Sequence, residues 1–205
     1  MTRIALLDYG TGNLHSLAKA LAPIGAVTVE SDVDAAIGAD LLILPGVGAF
    51  GQAAQRIEPQ RDQLRNALAD GLPCIGVCLG MQLLFDASEE GAGRGIGLIA
   101  GNVRRLDAER LPQMGWNAVE WNTTDAKLSR IAESSGMSFG YYANAFVGEP
   151  QDEQLVAAWS THENDRFPAV VRMGNAVGIQ FHPEKSSQPG AELLRGIARE
   201  LLECR

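Results

Sequence analysis

The sequence runs to 205 residues, with 46% hydrophobic and 20% charged residues and a formal net charge of -8. That balance suits a globular chain able to bury a large core. It excludes the basic surface that nucleic acid or an anionic membrane would need. The three cysteines (Cys74, Cys78, Cys204) are odd in number and irregular in spacing, so they form neither a disulfide framework nor a CxxC metal or redox pair.

The opening run RIALLD (Arg3–Asp8) reads as a first strand. It is shorter than the ~7–15 apolar residues of a signal-peptide core, and no segment reaches the ~18 of a membrane span. A reducing, cytoplasmic setting is the expectation. After a GTGN turn, Leu14, Leu17, Ala18 and Leu21 recur at helical spacing until Pro23 and Gly25. AVTVE (Ala26–Glu30) is a second strand, DVDAAIG a short helix, and DLLILPG (Asp40–Gly46) a third strand, apolar throughout. PQRDQLRNALADG is an amphipathic helix closed by Gly71. PCIGV is a fourth strand, and LGMQLLFDASEE reads as the helix after it.

Near-continuous apolar strands separated by helices predict an α/β fold with a mostly parallel sheet flanked by helices. Ligands on such sheets bind beyond the carboxyl ends of the strands. The second half changes character. NVRRL, WNAVEWN, FGYYANAF, LVAAWS and AVVRM are strand-like, MGN marks a hairpin, and antiparallel strands are expected there. QPGAELLRGIARELLECR reads as a closing helix with Leu193, Leu194, Ile197, Leu201 and Leu202 on one face. No repeat or linker divides the chain, so residues 1–205 are expected to form one domain.

Cys78 sits in GVCLG, between a strand and a helix. G-x-C-x-G is the cysteine counterpart of the nucleophile elbow G-x-S-x-G in the strand–turn–helix setting that motif requires. The flanking Gly76 and Gly80 permit a strained turn, and the helix beginning at Leu79 would favour an ionised sulfur. The alternative is a small buried residue in a tight turn. Cys74, inside its strand, is expected to be structural.

A cysteine nucleophile needs a base, and the chain has three histidines. His15 follows the first turn and His162 lies in the polar THEND. His182 follows the apolar AVGIQF at a strand's carboxyl end, with Glu184 two residues on. Residues two apart in extended backbone share a side, and a carboxylate beside an imidazole fixes its tautomer. Otherwise HPE is a hydrogen-bonded loop. The PGVGAFG run, Pro45–Gly51, lies at another strand's carboxyl end. Its glycines allow backbone N–H groups to face a bound group, as an oxyanion site with the Leu79 N–H requires; a phosphate-binding turn or a plain tight turn is the alternative. DYGTGNLH begins like a dinucleotide fingerprint, but His15 stands where the third glycine belongs. No cofactor and no metal are expected.

PGVGAFG, GVCLGMQLLF, LPQMGWN and GIQFHPEKS, in that order and spacing, resemble the class I (triad) glutamine amidotransferases. Among these, the resemblance is to the family of glutaminase subunits of imidazole glycerol phosphate synthase, across nearly the whole chain. It implies hydrolysis of glutamine to glutamate and ammonia through a cysteinyl thioester, with Cys78 as nucleophile, His182 as proton shuttle and Glu184 as its orienter. It further implies Val47, Gly48 and Leu79 at the oxyanion hole, and Gly46 and Gln82 at the glutamine site. The implied partner is a cyclase subunit, an eight-stranded α/β barrel, which uses the ammonia to make imidazole glycerol phosphate and aminoimidazole carboxamide ribotide for histidine synthesis. Met114, Trp116, Asn117 and Lys185 are implied at that interface. On composition alone, Gln82 would be a solvated helix residue and Trp116 a core aromatic. Another ammonia-donating synthase, or a non-catalytic relative, is the alternative. Ala143–Asn144–Ala145 departs from the family's His-Ser/Thr-Tyr pattern at the corresponding place.

Overall fold

A computed structural model describes residues 1–10, 14–122 and 125–203. The first half contains β1 (Arg3–Leu7), α1 (Leu14–Leu21), β2 (Ala26–Glu30), α2 (Val33–Ile37), β3 (Leu41–Leu44), α3 (Phe50–Ile57), α4 (Arg61–Ala69), β4 (Cys74–Val77) and the one-turn α5 (Leu79–Gln82). The second half contains β5 (Ala87–Ser88), β6 (Gly101–Arg105), β7 (Gln113–Ala118), β8 (Glu120–Trp121), α6 (Ala126–Ser135), β9 (Phe139–Asn144), β10 (Phe146–Pro150), β11 (Val156–His162), β12 (Asp165–Met173), β13 (Ala176–Ile179) and α7 (Ser187–Glu203). Cys204 lies outside the described residues.

Among the described residues, eight strands form one sheet in the order β2-β1-β3-β4-β13-β12-β11-β8. The five from β2 to β13 run parallel, and β12, β11 and β8 extend them antiparallel. Every residue of β3, β4 and β13 is buried, which explains their unbroken apolar runs: both faces are covered. The strand period then divides their side chains between two cores. Ile4, Leu6, Leu41, Ile43, Ile75 and Val77 pack with α1, α6 and α7. Ala5, Leu7, Leu42, Leu44 and Cys74 pack with α2, α3 and α4 on the other side. Two smaller sheets, β10-β6-β5 and the ribbon β7-β9, cover the carboxyl edge.

Two elements depart from the sequence reading. The glycine-rich PGVGAFG hid a helix: α3 follows at once and buries Phe50, Ala53, Ala54 and Ile57, an i, i+3, i+4, i+7 stripe. The helix expected over residues 79–90 ends at Gln82 instead. Met81, Gln82, Leu83, Leu84 and Phe85 are all buried, so this stretch has no polar face with which to sit on a surface. The chain tightens through Leu84 N–H to Met81 O and Phe85 N–H to Gln82 O, then turns into β5. In α7, Leu193, Leu194, Ile197 and Leu201 are buried as expected, with Leu202 at the margin. Gly71 closes the α4 turn at φ +100°. Among the described residues no helix is long and apolar enough to cross a membrane.

Candidate active site

Cys78 is held at φ 51°, ψ -105°, a conformation that non-glycine residues rarely adopt. Three close approaches enforce it. A Cβ on Gly76 would meet the Gly80 carbonyl oxygen at 2.6 Å, and one on Gly80 would stand 1.9 Å from that of Leu44. A Cβ on Gly46 would stand 1.8 Å from the Val77 carbonyl oxygen and 2.5 Å from the Leu79 nitrogen. The PGVG loop therefore packs directly on the elbow, and no side chain fits between them. The Cys78 N–H is tied to the Ile179 carbonyl at 2.6 Å. Because α5 is a single turn, its aligned peptide dipoles are few, and the helix-end help expected for the sulfur is correspondingly small.

The elbow opens onto a cleft of 240 Å³. Gly46, Val47, Gly48, Cys78, Leu79 and Gln82 all line it, so the structure brings together the residues the sequence suggested for the oxyanion and glutamine sites. Gln82 is buried rather than solvated; its side-chain nitrogen donates to the Phe146 carbonyl at 2.8 Å. Ala143, Asn144 and Ala145 line the opposite wall. Asn144 turns its nitrogen to the Phe146 carbonyl, leaving its buried Oδ1 without a hydrogen bond.

His182 is buried just past β13, as its strand-end position required. Its Nδ1 lies 2.9 Å from Glu184 Oε1, and both side chains are almost wholly buried. A carboxylate only accepts, so Nδ1 carries the hydrogen and Nε2 is left to exchange protons. Nε2 is buried and makes no hydrogen bond. Burial alone would depress the His182 pKa. Interaction with the Cys78 sulfur and the hydrogen bond to Glu184 outweigh it and push the value up to about 9. The imidazole thus holds a proton at neutral pH. His162 instead lies at the β11–β12 turn, with Nε2 3.0 Å from the Arg110 carbonyl, and does not reach the cleft. His15 is exposed on α1. Cys74 faces the core, and burial pushes its thiol far up, which makes it unreactive.

Three residues join the site without having been anticipated. Glu90 is the one charged side chain among the described residues lining the cleft, and its Oε2 accepts from the first N–H of α3, Phe50 N, at 2.8 Å. Tyr9, buried at the end of β1, donates its hydroxyl to the Pro45 carbonyl and so anchors the PGVG loop. Gln180 lies two residues before His182, with its amide nitrogen 3.6 Å from the Cys78 sulfur. Only Gln180 carried a sequence signal: it is a lone polar residue in an apolar strand, in phase with His182.

The expected interface residues split. Met114 and Trp116 are exposed on the outward face of the β7-β9 ribbon, which rules out the core-aromatic alternative for Trp116. Lys185 is exposed after His182. Asn117 points the other way and donates its amide to the Thr161 carbonyl at 2.7 Å, so it braces the ribbon from behind. A wider groove of 510 Å³ lies between α6 and α7, but no cysteine or histidine lines it.

A family model described as glutamine amidotransferase class-I matches residues 5–200. The chain is 38% identical to the imidazole glycerol phosphate synthase subunit HisH of Acaryochloris marina, over 98% of this chain and 96% of that protein. It is 40% identical to the HisH subunit of Pyrococcus furiosus, over 97% and 100%. In fold it is similar to the solved structure of PurLQS from Thermotoga maritima, with TM-score 0.73 and 20% identity over 98% and 99% of the two chains. The solved structure of a glutamine amidotransferase from the same organism gives TM-score 0.65 and 14% identity over 98% of each chain. The chain belongs to the class-I glutamine amidotransferase family and, within it, groups with the HisH subunits of imidazole glycerol phosphate synthase.

Proposed function

We propose that the chain is the glutaminase subunit of an imidazole glycerol phosphate synthase, hydrolysing glutamine and passing the ammonia to a cyclase subunit in histidine biosynthesis. One observation carries the reading: a strained cysteine elbow lines a cleft and interacts with a buried His–Glu pair.

The chemistry follows from those groups. Glutamine enters with its side-chain amide toward Cys78, and the Glu90 carboxylate complements its α-ammonium, the one cation the ligand brings. The sulfur attacks the amide carbon, and the oxygen becomes an oxyanion facing the Leu79 N–H and the Val47–Gly48 peptide. Collapse breaks the carbon–nitrogen bond. His182, already protonated, gives its proton to the leaving nitrogen, and ammonia departs. The remaining thioester is opened by water, whose proton goes to His182 and whose oxygen bonds the carbonyl carbon. Collapse returns the sulfur as leaving group and releases glutamate. Glu184 stays ionised throughout and holds the ring by Nδ1. No cofactor enters any step.

The partner is read as a cyclase with an eight-stranded α/β barrel, docked on the apolar ribbon around Met114 and Trp116 with Lys185 beside it. Residues 1–205 act as one glutaminase domain, in a cytoplasmic setting. The test is glutamate release by the chain alone and with a co-expressed cyclase and its ligand. The reading predicts co-purification and a rate that rises on assembly. Equal rates, or a chain that captures no cyclase, would contradict it.

A further inference from the structure

Behind the cleft a short chain of amides ends on the reacting sulfur. Gln82 donates from its side-chain nitrogen to the Phe146 carbonyl at 2.8 Å and toward Gln180 Oε1 at 3.3 Å. Gln180 is fully buried and presents its own nitrogen to Cys78 Sγ at 3.6 Å. An amide's oxygen and nitrogen are told apart by their partners, and here the partners leave one choice. The Phe146 carbonyl only accepts, so the near end of Gln82 is its NH₂ group. That group only donates, so the facing atom of Gln180 is its oxygen. The NH₂ of Gln180 is therefore aimed at the sulfur.

We infer that Gln180 is a positioning residue for the nucleophile: its side-chain N–H holds the Cys78 sulfur in the attacking rotamer, with Gln82 fixing the amide's sense. The physical basis is direct. A sulfur carrying negative charge in a buried elbow needs a donor on each open side. His182 acts on the sulfur through its charge, since its Nε2 makes no hydrogen bond, and the Leu79 N–H is reserved for the oxyanion. Gln180 supplies a donor that makes no claim on the ligand. It also links the sulfur to Gln82 at the glutamine cleft, so one hydrogen-bonded chain spans nucleophile and binding wall.

This assignment rests on the glutaminase reading, and its test includes an arm that does not. In the full chain with its cyclase, Gln180→Met keeps length and packing but removes the donor. Alkylation of Cys78 by iodoacetamide at neutral pH, located by fragment mass spectrometry, should slow about 10-fold. For glutamine, kcat should fall by a similar factor with KM within about 2-fold, while ammonia-driven turnover by the cyclase holds. Gln82→Met, which frees the Gln180 amide to turn over, should slow alkylation less but in the same direction; it also covers the case in which Gln180→Met fails to fold. Alkylation at the parent rate in either folded variant would overturn the inference. A parent complex that alkylates normally yet releases no glutamate would overturn the glutaminase reading and leave the Gln180 result standing.

Discussion

The molecule offers two neighbouring regions of opposite character. At the carboxyl edge of the parallel strands, Cys78 is 6% exposed and His182 1%. Beside it in the fold, the β7-β9 ribbon turns Met114 (64%), Trp116 (55%) and Phe139 (58%) outward. The first region hides polar, reactive groups; the second displays large apolar ones. The two are joined. The His182 N–H donates to the Tyr141 carbonyl at 2.8 Å, the Tyr141 N–H donates to Ser186 Oγ at 2.9 Å, and the Tyr141 ring packs edge-on against Trp116. A partner seated on the ribbon therefore presses on backbone that positions the base. The cleft and the exposed apolar ribbon are distinct surfaces sharing one strand.

The two regions separate furthest at the sulfur. Cys78→Ala should lower glutamine hydrolysis by about 10³-fold or more, leaving ammonia-driven turnover and partner association intact. Residual glutaminase near the parent rate would remove Cys78 from the reaction. Next comes the frame beneath it. Gly80→Ala places a Cβ 1.9 Å from a backbone oxygen that has nowhere to move, so stability should fall by about 3 kcal/mol or give no soluble protein, read by denaturant unfolding. A parent-like transition midpoint would mean that the elbow is looser than its geometry implies.

On the ribbon the signature reverses. Trp116→Ala should weaken cyclase association about 30-fold, as expected for an exposed aromatic anchor worth ~2 kcal/mol, with Cys78 alkylation unchanged; unaltered affinity by calorimetry would put the partner elsewhere. The smallest effect concerns pH. The folded state raises the His182 pKa to about 9, so its proton stabilises the fold fully below the unfolded value near ~6.5. That contribution is lost as pH rises through about 9. Thermal unfolding between about pH 6 and 10 should show the decline in the parent and a flatter profile in His182→Gln. Parallel profiles would contradict it.

Much of this was legible in the sequence, for identifiable reasons. Unbroken runs such as LLIL and CIGV announce strands covered on both faces. Gly76 and Gly80 announce close approach, because only a missing side chain allows it. Other features depend on what the chain meets after folding. Glu90 enters the cleft only because the helix expected through it stops at Gln82, and that stop follows from total burial of Leu83, Leu84 and Phe85 rather than from any breaker residue. Phe139 becomes part of the apolar face through its register opposite Ala118, which no local pattern encodes. Asn117, two residues before the buried Val119, gave no hint that it braces the β11–β12 hairpin.

In the proposed reaction one sulfur, that of Cys78, carries the covalent chemistry in the cleft. An electrophilic glutamine analogue, such as a diazoketone, puts that statement to the test when added to the assembled complex and followed by mass spectrometry. The expected result is a single adduct on Cys78, loss of glutamine-driven turnover in proportion to labelling, protection by glutamine, and undiminished turnover with ammonia. Label on another residue, or inactivation without label on Cys78, would contradict it.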